Sequence, residues 1–205
     1  MDLNRLLLQK AKGFNPSKIL DIGAHIGVFY ENIKEIWPDA DVLSIEANPY
    51  AEKTLAEKGI PYKIAALSKE VGKSVNFYIS KEWILSSGNS IYKENTPSFS
   101  DDKCISIQLI TNTLDNMLRG DFFEFIKLDT QGSEVDILTG GINLIKNTKM
   151  IMIECSVKEY NIGGARIGDV FNFMNYNNFI LDDIIDTMYN DNQELVQTDL
   201  LFIRK

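Results

Sequence analysis

The chain has 205 residues, of which 44% are hydrophobic and 24% charged, and its formal net charge is −8 at pH 7. This length and composition predict one soluble domain with a sizeable core. The acidic balance argues against a nucleic-acid ligand, which usually requires a basic surface, and favours a neutral or small-molecule partner. The sequence offers neither an apolar run of membrane-spanning length nor a secretion signal, so a cytoplasmic location is expected.

The first third of the chain alternates helical and buried-strand patterns. Val28, Phe29, Ile33 and Ile36, for example, recur at helical spacing. In chain order, the patterns predict a helix over 3–12, a strand over 19–22, a helix over 28–36, a strand over 42–45, a helix over 49–58 and a strand over 62–67. Strands that alternate with helices in this way predict a parallel sheet joined by right-handed crossovers.

The middle of the chain has a different character. Ser74–Ser80 and Ile105–Ile110 alternate apolar and polar residues, which is typical of half-buried antiparallel strands. They predict an inserted β-hairpin. Between them lies a long stretch, 81–103, that is rich in Ser, Asn and Lys. Because a long irregular segment inside a compact domain is usually functional or mobile, we expect 81–103 to be a lid or an acceptor-binding loop.

The last part of the chain returns to alternating elements. The patterns predict a short helix from 113, strands over 125–128 and 150–153, helices over 133–138 and 167–174, and a C-terminal antiparallel pair over 179–185 and 200–203. The sequence contains no internal repeat and no linker. We therefore expect a single domain over 1–205, with an N-terminal helical segment over 1–17.

A glycine-bearing turn follows the first predicted strand, with the spacing D-x-G-A-x-x-G from Asp21 to Gly27. Gly23 allows a tight turn, and the N-terminus of the following helix presents unpaired N–H groups to a ligand. The motif is not the dinucleotide fingerprint G-x-G-x-x-G, because His25 stands where the second glycine would be. An ordinary strand-to-helix turn is the alternative interpretation.

Acidic residues follow several predicted strands. Asp21, Glu46, Asp129 and Glu154 all fall at carboxyl ends, where ligands bind in doubly wound sheets. Glu46 follows Gly23 at close to the spacing of about 20 residues that is expected for a carboxylate that holds ribose hydroxyls. Each acid could instead only cap a following helix, since carboxylates are stabilising at helix N-termini. Several acids beside one glycine turn favour a shared ligand.

Five stretches of the sequence together resemble the FkbM-type methyltransferases, namely 19–27, 44–49, 64–68, 126–141 and 153–154. The K-x-D-x-x-G-x-E pattern within 126–141 is the most specific, and 199–202 resembles the family's last strand. The resemblance covers about residue 18 to the C-terminus. It implies a Rossmann-like sheet with S-adenosylmethionine as donor, and usually methylation of a hydroxyl on a sugar or polyketide-type product.

The same resemblance implies a set of donor-binding residues, which are Asp21, Gly23, Ala24, His25, Gly27, Glu46, Ala47, Ala66 and Asp129. Ala65 and Ala66 stand where many methyltransferases place an acid or amide for the adenine, so contact through the backbone or Ser68 is expected. Much of the N-terminal extension of many relatives is absent. We therefore expect part of the acceptor pocket to be missing or to be supplied by a partner.

A hydroxyl acceptor needs a base, because it is a poor nucleophile until its proton is removed. The candidates, in order, are Asp129, Glu154 and His25. Asp129 could instead serve the donor's amino group, and the His25 ring could simply pack aside. No metal site is predicted, although two carboxylates holding a divalent ion would be an alternative.

Other functions stay open at this point. They are a non-catalytic S-adenosylmethionine-binding protein and a methyltransferase for a non-hydroxyl acceptor. The D/N-P-P-Y/F/W motif of nucleic-acid amino-methyltransferases is absent after the fourth strand, where Asp129-Thr130-Gln131-Gly132 stands instead. The expected partner is a small-molecule or glycan acceptor, and the sequence leaves the oligomeric state open, a homo-oligomer included.

Overall fold

The computed structural model describes residues 3–205, so residues 1 and 2 of the predicted segment 1–17 lie outside the described residues. The helices are α1 (Leu3–Ala11), α2 (Val28–Ile36), α3 (Glu52–Glu57), α4 (Leu114–Met117), α5 (Glu134–Thr139) and α6 (Ile167–Tyr176). The strands are β1 (Lys18–Ile22), β2 (Asp41–Glu46), β3 (Tyr62–Ile64), β4 (Ala66–Leu67), β5 (Ser74–Ser80), β6 (Cys104–Asn112), β7 (Phe125–Leu128), β8 (Met150–Ser156), β9 (Phe179–Tyr189) and β10 (Leu195–Arg204). None of the described helices is long and apolar enough to cross a membrane.

The main sheet has seven strands in the order β3-β2-β1-β7-β8-β10-β9. The first five run parallel to one another, whereas β10 is antiparallel to both β8 and β9. The predicted mainly parallel sheet with an antiparallel C-terminal hairpin is therefore confirmed. The strand order reverses at β1 and β7, and open α/β sheets bind ligands beyond the carboxyl ends of the strands at such a point.

A second, three-stranded sheet has the order β4-β6-β5. β5 and β6 pair antiparallel, which confirms the predicted hairpin insertion. The prediction of one strand over 62–67 is wrong, because the chain changes sheets at Ala65. Tyr62–Ile64 pairs with β2, whereas Ala66–Leu67 pairs with β6. A continuous apolar pattern reports burial but not the identity of the neighbouring strand.

The central strands are buried on both faces of the main sheet, because helices cover each face. In β7, Phe125 packs on the α1 and α2 side, with the rings of Phe14, Phe29 and Trp37 about it edge-on at centroid distances of 6.3, 6.2 and 5.9 Å. The neighbouring Ile126 belongs to the core on the opposite face. Successive side chains of a strand point to opposite faces, so a doubly covered strand is apolar throughout.

Two acids that the sequence places at strand ends lie inside strands. Asp21 is within β1, and Glu154 is within β8 because that strand continues to Ser156. β10 pairs along this extension, where Asp199 is the partner of Glu154 and Gln197 that of Ser156. Backbone hydrogen bonds to a neighbouring strand can extend a strand through polar residues. A prediction based on the apolar pattern ends the strand too early in such a case. For the same reason, β9 and β10 are longer than predicted.

Candidate functional site

A cavity of about 280 Å³ lies at the carboxyl ends of β1, β2 and β7. Its floor includes Gly23, Glu46 and Asp129, which lie at or directly after the ends of these three strands. Residues of the segment 81–103, which we call the covering segment, form another part of the wall; they are Ser86, Ser87, Asn89, Ser90 and Ile91. The cavity therefore lies where the strand order reverses, and the predicted lid or acceptor loop lies against it.

The turn after β1 brings the backbone of two strands into contact. Gly23 has φ 77°, and a Cβ built there would lie 1.8 Å from the backbone oxygen of Asp129. Gly27 has φ 85°, but a Cβ there would meet Ile60 at 2.1 Å rather than a ligand. Gly23 is therefore required by the wall of the cavity, whereas Gly27 is required by packing behind it.

Glu46 ends β2 with its carboxylate held by two backbone amides. His25 N donates to Oε2 at 2.6 Å, and Asn48 N donates to Oε1 at 2.7 Å. Burial raises the pKa of Glu46, while the bonds from Asn48 and His25 act in the opposite direction. Both oxygens keep lone pairs beyond these bonds. The carboxylate is thus fixed in the wall of the cavity and able to accept further hydrogen bonds.

A buried lysine crosses from β7 to the glycine turn. Lys127 Nζ lies 3.5 Å from Asp21 Oδ1 and 3.4 Å from Asp129 Oδ2, and it donates to Gly23 O at 3.1 Å. Burial alone would lower the pKa of Lys127, but the carboxylates of Asp129 and Asp21 outweigh it and raise the pKa. Lys127 is therefore a cation. It fixes one oxygen of Asp129 and balances the fully buried Asp21.

Two glutamines connect the acids on the other side of the cavity. Gln131 Nε2 donates to Glu154 Oε2 at 2.5 Å and to Asp129 Oδ1 at 3.3 Å. Gln197 Nε2 also donates to Glu154 Oε2, at 3.1 Å. Burial, and then the charges of neighbouring acids with Asp129 first, raise the pKa of Glu154 well above its ordinary value. Glu154 is therefore hydrogen-bonded to Gln131 and Gln197 and is not among the residues that line the cavity.

Asp199 brings a carboxylate to the cavity from β10. It lines the cavity and lies opposite Glu154 in the strand register. Burial, followed by the charge of Asp129, raises the pKa of Asp199 to about 6, although Lys127 acts to lower it. The sequence treats 199–202 only as the last strand. The available signal is a carboxylate directly before the apolar run Leu200–Ile203 of that strand.

The cavity collects some of the predicted site residues and leaves others outside. Gly23, Ala24, His25, Glu46, Ala47 and Asp129 line it. Asp21, Gly27, Ala66, Ser68 and Glu154 are not among the lining residues. Asp21 contacts Lys127 instead, and Ala66 points away because its neighbours Ala65 and Leu67 face the cavity. Because successive side chains of an extended chain point to opposite sides, a shift of one residue decides whether a side chain faces the cavity.

The sequence analysis did not name Asn48, Lys127, Gln131 or Asp199 as site residues, although all four line the cavity. Lys127 gave the clearest signal, as a charge inside the apolar strand β7. His25, the third predicted base, has its ring occupied by Leu85 O and by the edge of Trp83. Within residues 3–205, no group of three or more His, Cys, Asp or Glu is arranged to hold a metal ion.

The doubly wound sheet, the glycine turn and the oriented carboxylate at the end of β2 together define a Rossmann-like methyltransferase fold. The model of the methyltransferase FkbM domain matches residues 21–181, which is most of the chain. The chain therefore belongs to the FkbM methyltransferase family. No sequence among curated proteins matches it significantly.

Solved structures share the fold at low identity. The FkbM methyltransferase of Methylobacillus flagellatus KT is 17% identical, with a TM-score of 0.55 over 91% of this chain and 43% of its own length. The chain thus spans less than half of that protein. Magnesium protoporphyrin IX methyltransferase of Synechocystis PCC 6803, solved with bound S-adenosylmethionine, is 12% identical, with a TM-score of 0.54 over 99% of this chain and 78% of its own.

Proposed function

We propose that this protein is an S-adenosylmethionine-dependent methyltransferase that methylates a hydroxyl group of a sugar, glycan or other small-molecule natural product. The observation that carries the proposal is the Glu46 carboxylate, fixed by two backbone amides in the wall of a cavity that begins at the Gly23 turn. Membership of the FkbM methyltransferase family supports it.

The wall of the cavity fits the donor in its chemistry. Glu46 offers two oriented oxygens, which suit the adjacent hydroxyls of a ribose. The apolar side chains Ile45, Ala65, Leu67 and Phe77 line the same cavity and suit the faces of an adenine ring. S-adenosylmethionine supplies a methyl group that is already activated on a sulfonium. The protein must then orient two reactants and exclude water.

A hydroxyl acceptor loses its proton to a base, and two carboxylates line the cavity on the β7 and β10 side. Asp129 is fixed by Lys127 and Gln131, as a positioned group requires. Asp199 has a pKa of about 6, which suits proton transfer near neutral pH. We infer that one of this pair takes the proton. Glu154 and the ring of His25 are weaker candidates, because each is engaged by other groups.

The test is calorimetric titration with S-adenosylmethionine, followed by transfer of a labelled methyl group to a panel of methyl glycosides, oligosaccharides and polyols. Glu46→Gln keeps the shape but loses the charge, so donor affinity should fall by about 10- to 100-fold. Asp41→Asn, at the exposed start of the same strand, is the matched control and should bind as wild type.

The outcomes separate three functions. Donor binding with transfer to a hydroxyl supports the proposal. Donor binding with transfer only to amines or carboxylates overturns the acceptor class. Donor binding without transfer to any class of acceptor indicates a non-catalytic binding protein, and the absence of binding in the wild type overturns the proposal as a whole.

A further inference from the structure

The covering segment is attached to the rest of the protein at several points, among them a bridge between Ser90 and Tyr78 of β5, and two of its attachments differ in character. Its later part is tied down by several bonds around Tyr92. The ring hydroxyl of Tyr92 donates to Asp136 Oδ2 at 2.8 Å, and Asn161 Nδ2 donates to Tyr92 O at 2.9 Å. Ile162 N and Lys93 O add a backbone bond at 2.9 Å. This part is fixed independently of the cavity.

The earlier part, at residues 84 and 85, is held by two residues of the cavity wall. Asn48 Nδ2 donates to Ile84 O at 2.8 Å. His25 Nε2 lies 2.5 Å from Leu85 O, and because a carbonyl oxygen only accepts, Nε2 carries the proton there. The side chain of Leu85 adds apolar contact with a small cluster around α3. Trp83, just before this point, is 55% exposed and sets its ring edge-on to His25.

His25 and Asn48 are also the residues whose backbone amides orient Glu46. Each therefore makes one bond to the carboxylate that is the proposed ribose ligand and one to the covering segment. His25 does so from a left-handed conformation with φ 52°, which is uncommon for residues other than glycine. The bond to Leu85 offsets part of the cost of that conformation.

We propose that His25 and Asn48 are positioning residues that couple donor binding at Glu46 to closure of the covering segment at residues 84–85. This inference rests on the proposed function, since it takes S-adenosylmethionine as the ligand of Glu46. Ser86, Ser87 and Asn89 line the cavity next to the anchored point. We therefore expect residues 84–85 to detach before a donor leaves the cavity. Coupling of this kind is reciprocal, so an occupied Glu46 also holds the segment closed.

Two variants remove the side-chain bonds and keep the rest. His25→Gly retains the backbone N–H to Glu46 and suits the positive φ, so only the contacts of the ring are lost. Asn48→Ser retains a hydroxyl that can accept from Tyr50 N, as the Asn48 side chain does now. Gln193→Gly is the matched control, because it relieves a similar φ of 61° in the distant turn between β9 and β10.

The first measurement is hydrogen–deuterium exchange of the donor-free protein. Peptides that contain residues 84–89 should exchange faster in His25→Gly and Asn48→Ser, while those around Tyr92 keep the wild-type rate. The second is stopped-flow dissociation of S-adenosylmethionine, followed by tryptophan fluorescence. Trp37 is buried in the core, so Trp83 carries the signal, and Trp83→Phe should remove it.

Each variant should release the donor about threefold to tenfold faster, as expected for the loss of one hydrogen bond, and Gln193→Gly should not change the rate. Wild-type dissociation rates in both variants would overturn the coupling, and so would unchanged exchange at residues 84–89. If the wild type binds no S-adenosylmethionine, the proposed function fails and the coupling with it. If the wild type binds S-adenosylmethionine and both variants release it at the wild-type rate, the coupling fails and the proposed function stands.

Discussion

The two sides of the cavity are built by different means. On the β1 and β2 side, backbone groups do the positioning, since a glycine turn and two amides fix Glu46. On the β7 and β10 side, charged side chains position one another, with Lys127 between Asp21 and Asp129. The backbone N–H groups on the first side do not titrate, so only the Glu46 carboxylate responds to pH there. On the other side, each buried charge affects the pKa of its neighbours. We therefore expect the two sides to respond differently to substitution and to pH.

The largest effect is expected on the backbone side. Gly23→Ala places a Cβ 1.8 Å from the backbone oxygen of Asp129 at a positive φ. Neither strand can move easily, so the free energy of unfolding should fall by about 4–5 kcal/mol. Urea denaturation measures it. Gly13→Ala is the control, because Gly13 has φ 92° with nothing within 4 Å and should lose only about 1–2 kcal/mol. Equal losses would show that the close approach of the two strands is unimportant.

The next effect belongs to the charged side. Lys127→Met leaves Asp21 buried without its cation, which should cost about 3 kcal/mol near pH 8. Burial already raises the pKa of Asp21, and losing Lys127 raises it further. A carboxyl whose folded-state pKa exceeds its unfolded value takes up a proton on folding, so lower pH favours the folded state. The loss relative to wild type should therefore shrink at about pH 5.

The matched control for this prediction is the double variant Lys127→Met with Asp21→Asn. It removes the buried charge together with its partner, so it should recover part of the stability at pH 8 and lose most of the pH dependence. Parallel pH profiles for the single variant and the wild type would contradict an ionised pair in the core.

The smallest effect has the opposite sign. The pKa of Asp199 is about 6 against an ordinary 3.8, so the ionised group costs stability above about pH 6, and this cost disappears below about pH 4. Asp199→Asn should therefore stabilise the protein by about 2 kcal/mol at pH 8 and leave it unchanged at pH 4. If Asp199 is the base, turnover should fall by about 10²-fold or more at unchanged donor affinity.

Asp129→Asn gives the comparison for Asp199. Removal of its charge should lower the pKa of Asp199 and move the pH range of the stability difference downward. A fall in turnover with Asp129→Asn alone would assign the proton to Asp129. A fall in donor affinity with Asp199→Asn would instead place Asp199 against the donor.

The same contrast explains how much the sequence predicts. The turn from Asp21 to Gly27 and the acid at the end of β2 lie within one β-α-β unit, so local spacing is sufficient to find them. The charged side joins β7 to β10, and their contacts depend on a register that spacing does not encode. Glu154 was placed at a strand end because the apolar pattern stops there, although β10 continues the ladder to Ser156. Ala65 faces the cavity and Ala66 does not, because successive side chains of an extended chain point to opposite sides. The sequence does not show which of the two faces the ligand.

The pairing of β1 has a consequence for how the molecule is made. Ile19 pairs on one side with Val42 and on the other with Phe125. During synthesis, one edge of β1 must therefore wait until most of the chain has left the ribosome, and Asp199 arrives later still. Such long-range pairing slows folding and prolongs exposure of an unpaired apolar strand. We therefore expect that edge of β1 to stay unpaired until β7 is inserted beside it.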